Sequence, residues 1–168
     1  TTASYNTAMG HEAMYSNTTS GNQTAIGYRA LKANTSGTVN TALGSNALLS
    51  NTTGSSNTAL GYQSLQANTT ASSNTAVGYK GLYSNTTGQY NTVVGSEALD
   101  NTTTASHNTA VGYGSLADAT TGQYNTAVGS QALLLNTTAD NNTAVGYRSL
   151  QANTAAQNTA VGQDSFYT

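Results

Sequence analysis

The stretch Asn74-Thr75-Ala76-Val77-Gly78-Tyr79 decides the fold, because its pattern returns along the whole chain. Copies follow one another every 17 residues, with a final step of 16, and their first residues are Asn6, Gln23, Asn40, Asn57, Asn74, Asn91, Asn108, Asn125, Asn142 and Asn158. A short fixed period is typical of solenoids, in which a unit too small to bury anything alone stacks on its neighbours. We number the positions of each unit from this first residue as position one.

Several positions keep one residue type. Position two is Thr and position five is Gly in all ten units, and position three is Ala except at Val93. Thr-Ala-Val favours a short strand, and the Gly behind it indicates a corner that needs a positive φ or a close backbone approach. Positions twelve to fourteen usually read Asn-Thr-Thr, which is turn chemistry. The middle of the unit, as in Tyr62-Gln63-Ser64-Leu65, fits either a second strand or one tight helical turn.

Two aliphatic positions are expected to form the core of the stacked coils. Position four is always aliphatic or Met, and position nine is Leu in eight units. Side chains alternate along a strand, so the Thr of position two shares a face with position four, and we expect both to point inward. The predicted core ladder is Val77, Val94, Val111, Val128, Val145, Leu65, Leu82, Leu99, Leu116, Leu133 and Leu150.

The sequence therefore predicts an all-β chain, a parallel β-solenoid (β-roll) of about ten 17-residue coils. We expect residues 1–168 to form a single repeat domain without terminal caps. The chain starts and stops in the middle of a unit, which predicts either head-to-tail stacking of copies or an excerpt of a longer fibre.

Composition excludes several classes of partner. The net charge is −2, so no basic surface exists for a nucleic acid backbone or an anionic membrane. The sequence has no apolar run long enough to span a bilayer, and membrane insertion is not expected. Cysteine is absent, which excludes disulfides and thiolate metal sites.

Position seven carries six of the ten formal charges of the chain. Charged neighbours there have opposite sign in successive units: Glu12 with Arg29, Lys80 with Glu97, and Arg148 with Asp164. Like charges so close would repel, so this position is predicted to be an outward, solvated stripe that sets the register.

The Asn-Thr-Ala-Val-Gly phrase resembles the head repeats of trimeric autotransporter adhesins, which are built on a Ser-Val-Ala-Ile-Gly type of phrase. It is also similar to Asn-Thr-Ala-Val-Gly-Tyr repeats of phage tail-fibre proteins, and the resemblance covers every unit. It implies a left-handed β-roll, a parallel trimer, and an adhesive or spacer role outside the cell. The unit here is longer than that of the adhesin heads, and Thr stands where their phrase has an apolar Val.

No group of residues indicates catalysis, a cofactor or a metal, and we predict that the chain is not an enzyme. His11 and His107 lie at different positions of distant units, and the carboxylates are scattered, so no acid/base pair or triad is expected. Tyrosines at position six indicate corner packing or, alternatively, an aromatic stripe for a sugar. Candidates for N-linked glycosylation are Asn17, Asn51, Asn68, Asn85 and Asn136.

Two functional hypotheses follow. The first is a structural subunit of an extracellular, cell-surface or virion fibre, or an adhesin head, whose partners are its own copies, stacked head to tail or as a parallel trimer, and a host surface or glycan. It predicts that the small Ala face of position three meets another chain. The alternative is an ice-binding solenoid, whose Thr face would be Thr24, Thr41, Thr58, Thr75, Thr92, Thr109, Thr126 and Thr143. An outward Thr ladder favours this alternative, and an inward one removes its main support. A third, weaker reading is a carbohydrate-binding rod that uses the tyrosine stripe.

Overall fold

The computed structural model describes residues 3–166 as ten stacked coils, each with one strand of three residues. The strands are β1 (Thr7–Met9), β2 (Thr24–Ile26), β3 (Thr41–Leu43), β4 (Thr58–Leu60), β5 (Thr75–Val77), β6 (Thr92–Val94), β7 (Thr109–Val111), β8 (Thr126–Val128), β9 (Thr143–Val145) and β10 (Thr159–Val161). They form one parallel sheet in chain order. No helix occurs in the described residues. The predicted all-β parallel solenoid is therefore confirmed.

Neighbouring coils are held in register by the repeat itself. Thr75 pairs with Thr92 and Val77 with Val94, and each other pair of strands matches the same positions. Hydrogen bonds between coils continue beyond the strand, for example from the Leu82 N–H to the Ala98 oxygen at 3.0 Å. Because each coil is the template for the next, a single register satisfies all of these bonds at once.

The strands face the opposite way from our expectation. Ala76 and its equivalents at position three point inward and are buried from β2 onwards, whereas the Thr and aliphatic residues on either side point outward. The prediction that Val77, Val94, Val111, Val128 and Val145 form a core ladder is wrong, as is the prediction of an inward Thr. The Ala face also lies inside the coil, so it cannot meet another chain.

The narrow interior explains this orientation. A Cβ placed on Gly81, across the coil from the strand, would lie only 3.7 Å from the Ala76 Cβ and 3.6 Å from the Val93 Cγ1. One leucine per coil already fills the remaining space, since the core leucines Leu65, Leu82, Leu99, Leu116, Leu133 and Leu150 are 0–2% exposed. The sixth coil holds a second branched residue, the buried Val93, which lies beside Gly81 of the coil before. A second branched residue in every coil would overfill this interior, which costs more than leaving it half-exposed.

The middle of the unit is neither a strand nor a helix but a series of turns. Positions seven, nine and seventeen adopt left-handed backbone, as in Lys80 (φ 52°), Leu82 (φ 53°) and Tyr90 (φ 59°). Such φ values are unfavourable for bulky residues, and the surrounding hydrogen bonds between coils hold them in place. These turns direct the position-nine leucine inward and the position-seven side chain outward.

Asparagines form two hydrogen-bonded ladders inside the rod, which our reading of the sequence missed. At position one, the Asn91 N–H donates to the Asn74 Oδ1 at 2.9 Å, and the Asn74 Nδ2 donates to the Gly88 oxygen at 2.8 Å. At position twelve, the Asn68 Nδ2 donates to the Asn51 Oδ1 at 2.8 Å. An amide both donates and accepts, so a column of identical amides can satisfy itself in a buried site. The recurrence of Asn at positions one and twelve is the feature of the sequence from which these ladders could have been predicted.

Candidate functional site: the outer face of the sheet

The outward side chains of positions two and four form one continuous surface, which we call the threonine–aliphatic face. It runs over all ten strands as two parallel columns, one of Thr and one of aliphatic residues or Met. Identical positions in paired parallel strands are about 4.8 Å apart. Neither column contains a charged residue. The face is therefore regular, uncharged and about 43 Å long.

The threonine column projects hydroxyl groups that the fold does not use. Thr75 and Thr126 are half-buried, Thr41 and Thr92 are exposed, and no position-two hydroxyl hydrogen-bonds to any residue among 3–166. The turn threonines of position thirteen behave differently, because the Thr52 Oγ1 donates to the Thr69 oxygen at 3.0 Å. The position-two hydroxyls are thus free to bind something outside the chain.

The aliphatic column is unusually exposed for its residue types. Val77, Val111 and Ile26 are half-buried. The remaining members are 36–73% exposed, and they are Met9, Leu43, Leu60, Val94, Val128, Val145 and Val161. A contiguous apolar strip of this length on a protein surface marks an interaction site more often than a solvated one.

Of the three expected ion pairs at position seven, only one is formed within residues 3–166. The Glu12 Oε2 accepts from the Arg29 Nε at 2.7 Å and from the Lys32 Nζ at 2.8 Å. These two hydrogen bonds, from Lys32 first and then Arg29, lower the pKa of the Glu12 carboxyl below its usual value. Lys80 instead lies 5.4 Å from the ring centroids of Tyr79 and Tyr83.

Three carboxylates lie close together on the middle coils, at or near position seven: Glu97, Asp100 and Asp118. Partial burial raises the pKa of Asp100 above its usual value, and the nearby carboxylates of Glu97 and Asp118 raise it further. The Asp118 Oδ1 accepts a hydrogen bond from the Asn101 Nδ2 at 3.0 Å. This group makes the side of the rod weakly acidic.

Aromatic residues form two columns at the edges of the threonine–aliphatic face. At position six, Tyr62 and Tyr79 stack with ring centroids 5.7 Å apart. At position seventeen, the His107 ring lies between Tyr90 and Tyr124, 4.9 Å from each centroid. His11 stacks on Tyr28 in the same way. The two histidines therefore take part in ring stacking at the surface.

Among residues 3–166, no group of three His, Asp or Glu side chains could hold a metal ion, and the surface has no pocket. No helix in this part of the chain could cross a membrane.

The candidates for N-linked glycosylation are mostly interior residues. Asn51, Asn68, Asn85 and Asn136 are fully buried, and their Nδ2 atoms donate to carbonyl groups inside the coil. The Asn17 Nδ2 donates to the Ser20 oxygen at 3.0 Å. A glycan on any of the four buried amides would not fit this fold, so that prediction is wrong for them. Turns and glycosylation acceptor sites both use Asn followed by Thr or Ser, so the sequence does not distinguish them, which explains the error.

No protein-family model, curated protein or solved structure matches this chain.

Proposed function

We propose that this chain is a structural subunit of an extracellular, cell-surface or virion fibre or adhesin head, and that its copies associate through the threonine–aliphatic face. The observation that carries the proposal is the half-exposed aliphatic column, which runs without a break over ten strands. The partner in this proposal is a second copy of the same chain.

The size of the apolar column suits a stable association. Burying a Val or Leu completely contributes roughly 1.5–3 kcal/mol, so ten half-exposed side chains contribute on the order of 10 kcal/mol. Association costs about 4–15 kcal/mol in lost freedom of motion. The column is therefore long enough to offset that cost, whereas two or three coils would be too few.

The regularity of the face favours a partner with the same spacing. An antiparallel copy, related by a two-fold axis that crosses the face, repeats its side chains every coil, so that aliphatic residues meet aliphatic residues and Thr meets Thr along the whole length. The free Thr hydroxyls can then hydrogen-bond between copies, which avoids burying them without a partner. Irregular partners would match the face at a few coils only.

The test is the molar mass in solution, measured by light scattering and sedimentation. We expect the chain to sediment as a multiple of its 17.0 kDa mass. A triple variant with Leu60→Glu, Val94→Glu and Val128→Glu places charges on the fourth, sixth and eighth coils of the face. It should sediment as one chain with an unchanged circular dichroism spectrum. The matched control changes Thr53, Thr87 and Thr121 of the turns to Glu and should remain associated. A wild-type chain that stays at 17.0 kDa over the accessible concentration range would contradict the proposal.

A second candidate function is ice binding, which the outward threonine column favours. The column has Thr in every coil, equal spacing and unused hydroxyls, and β5 to β10 all carry Val beside it. The coils before β5 carry Met, Ile or Leu instead, which makes the surface stepped and suits protein packing better.

Thermal hysteresis separates the two candidates. Ice binding requires a measurable hysteresis gap that Thr92→Lys removes and Thr87→Lys, in the turn, leaves intact. An associated wild-type chain without hysteresis supports the fibre subunit and excludes the second candidate.

A further inference from the structure

The aliphatic column of the threonine–aliphatic face has two parts that differ in side-chain size. Strands β1 to β4 carry Met9, Ile26, Leu43 and Leu60, whereas β5 to β10 all carry Val. Each of these four side chains has one more non-hydrogen atom than valine. Because the column points outward, it projects further from the sheet on the first four coils than on the following six.

The position-seventeen column, beside the threonine column, is also divided by size. Position seventeen lies two residues before the Thr of the next strand, so the column can be read strand by strand. Beside β6, β7 and β8 it carries three exposed rings in one stack, with neighbouring centroids 4.9 Å apart: Tyr90, His107 and Tyr124. Beside β3, β4 and β5 it carries three smaller exposed residues: Val39, Ser56 and Ser73. The bulky residues of this column therefore lie in the later coils, the reverse of the aliphatic column.

Antiparallel pairing places the large part of each column opposite the small part of the same column. With the two-fold axis between β5 and β6, β1 of one copy faces β10 of the other, and β4 faces β7. Every Met, Ile or Leu then meets a Val of the other copy, and valine meets valine at the two central levels. In a parallel pair, the larger residues of both copies lie at the same end and hold the copies apart over the remaining coils.

The aromatic stack selects one register among the antiparallel ones. With the axis between β5 and β6, all three rings lie opposite Val39, Ser56 and Ser73 of the other copy. A shift of one coil in one direction brings the Tyr90 rings of both copies to the same level. A shift in the other direction sets Tyr124 opposite Asn22 and leaves Ser73 opposite itself. Since overpacked and underpacked contacts both lose stability, the register with rings on small residues is favoured.

We propose that two copies of this chain pair antiparallel, with the two-fold axis between β5 and β6 and the Tyr90–His107–Tyr124 stack of each copy seated on Val39, Ser56 and Ser73 of the other. The inference rests on the proposed function, because it uses the same face, and it adds the orientation and register of the partner. An isologous pair of this kind closes on itself. The species that this face forms is therefore a dimer of twice 17.0 kDa.

Cross-linking between introduced cysteines tests the register, because the chain has no cysteine of its own. Thr41 in β3 and Thr126 in β8 are five coils apart in one copy, about 24 Å, but face each other between copies. The variants Thr41→Cys and Thr126→Cys, one of them isotope-labelled, are mixed and treated with a bismaleimide of about 10 Å reach, the spacing of packed sheets. Mass spectrometry should find cross-links between the two variants and few within either variant alone. The matched control pair is Thr53→Cys and Thr138→Cys, in the turns of the same two coils, which should not cross-link.

Sedimentation of the wild type, measured alongside, separates this inference from the proposed function. An associating wild type whose Thr41→Cys variant cross-links mainly to itself would overturn the antiparallel register and leave the proposed function standing. Association without any cross-link between the two variants would do the same. A wild type that stays at 17.0 kDa would contradict both.

A double-mutant cycle tests the seating of the rings on the serines. Ser56→Tyr should raise the dimer dissociation constant about tenfold, because the new ring meets His107 of the other copy. Adding His107→Ser should restore most of the affinity. Within one copy these residues are three coils apart, about 14 Å, so coupling between them can arise only between copies. The control is Gln66→Tyr, at position ten, where the next coil carries Tyr83, and it should leave the affinity unchanged. Additive effects of Ser56→Tyr and His107→Ser on the dissociation constant would overturn the proposed register.

Discussion

Two glycines of one coil, three residues apart, have opposite roles. Gly78 has a φ of +133°, and a Cβ there would collide with the carbonyl group of Gly95 in the next coil. Gly81 has no such backbone restriction, and its added Cβ would lie at 3.6 Å from the Val93 Cγ1, which is ordinary van der Waals contact. The close approach of the coils at position five is what requires glycine there.

We therefore expect opposite effects from the same substitution. Gly78→Ala should lower the free energy of unfolding by about 2–6 kcal/mol, from backbone strain and overpacking together. Gly81→Ala should raise it by about 0.4–1 kcal/mol, because alanine restricts the unfolded chain and fits the folded one. Urea unfolding followed by circular dichroism measures both. A Gly81→Ala variant less stable than the wild type would show that the interior is tighter than described.

Asp100 provides a pH-dependent test on the acidic side of the rod. Its pKa is raised by burial first and by Glu97 and Asp118 next, so the protonated form is favoured in the folded chain. That contribution is complete below the ordinary Asp pKa of 3.8 and is lost as the pH rises through the raised value. Asp100→Asn should therefore raise the free energy of unfolding at pH 7 by less than about 1 kcal/mol, because solvent screens the charges.

The same comparison at low pH is the check on this prediction. The gain from Asp100→Asn should vanish once Asp100 is protonated in both states. Asp164→Asn, in the last coil, is the control and should change little at either pH. A gain that persists in acid would mean that charge is not the cause.

At the scale of one structural element, the position-twelve ladder is interrupted. Asn34, Asn51, Asn68 and Asn85 are linked by hydrogen bonds from each Nδ2 to the preceding Oδ1. The next two coils carry Thr102 and Ala119 instead. The Thr102 Oγ1 donates to the Ala119 oxygen at 2.7 Å, and the buried Asn85 Oδ1 has no hydrogen-bond partner among the described residues.

Restoring the ladder should stabilise the rod only when both residues are replaced. Thr102→Asn alone gives Asn85 a donor but leaves a new unpaired oxygen facing Ala119, so we expect little change. The double variant with Ala119→Asn continues the ladder to Asn136 and should raise the free energy of unfolding by about 1–2 kcal/mol. A double-mutant cycle in urea measures this coupling. If the effects of the two substitutions on the free energy of unfolding are additive, the restored hydrogen-bond ladder is not the cause of the stabilisation.

At the scale of the whole molecule, stability is a sum over coils. Each coil pairs with its two neighbours, and β1 to β10 follow one another in the sheet without a crossover. The stability of such a rod is approximately the sum of the unit terms and the terms between nearest neighbours. Coils should therefore be removable in whole units.

Deletion of residues 57–73 should leave a folded rod. The cut joins position seventeen directly to position one, so every remaining coil keeps its pairing. We expect an unchanged spectrum per residue and a denaturant slope lower by about one tenth, since that slope scales with the surface exposed on unfolding. Deletion of residues 57–64 is the control, because it joins position seventeen to position nine and breaks the register. If both deletion variants fold equally well, the coils do not depend on pairing between identical positions of neighbouring units.

The amino-acid sequence alone determined the period, the strands, the glycine corners and the leucine ladder. These features depend on local propensity and on the spacing of identical residues, which one chain displays openly. It also predicted the position-seven stripe, of which Glu12 and Arg29 form an ion pair, while Lys80 and Arg148 lie over tyrosine rings. The turn structure of the middle of the unit remained open, because short runs do not distinguish a strand from a turn.

Only the tertiary structure decided which face of each strand is buried. Alternation shows that Thr75 and Val77 share a face, but it does not show whether that face points inward. The decision depends on the width of the coil, which is set by Ala76, Gly81 and one leucine and cannot be read from a single strand. Only the tertiary structure shows that Asn74 and Asn85 also lie inside the coil, where stacked amides satisfy one another's hydrogen-bonding groups. The exposed threonine–aliphatic face is thus a consequence of an interior too narrow to hold it.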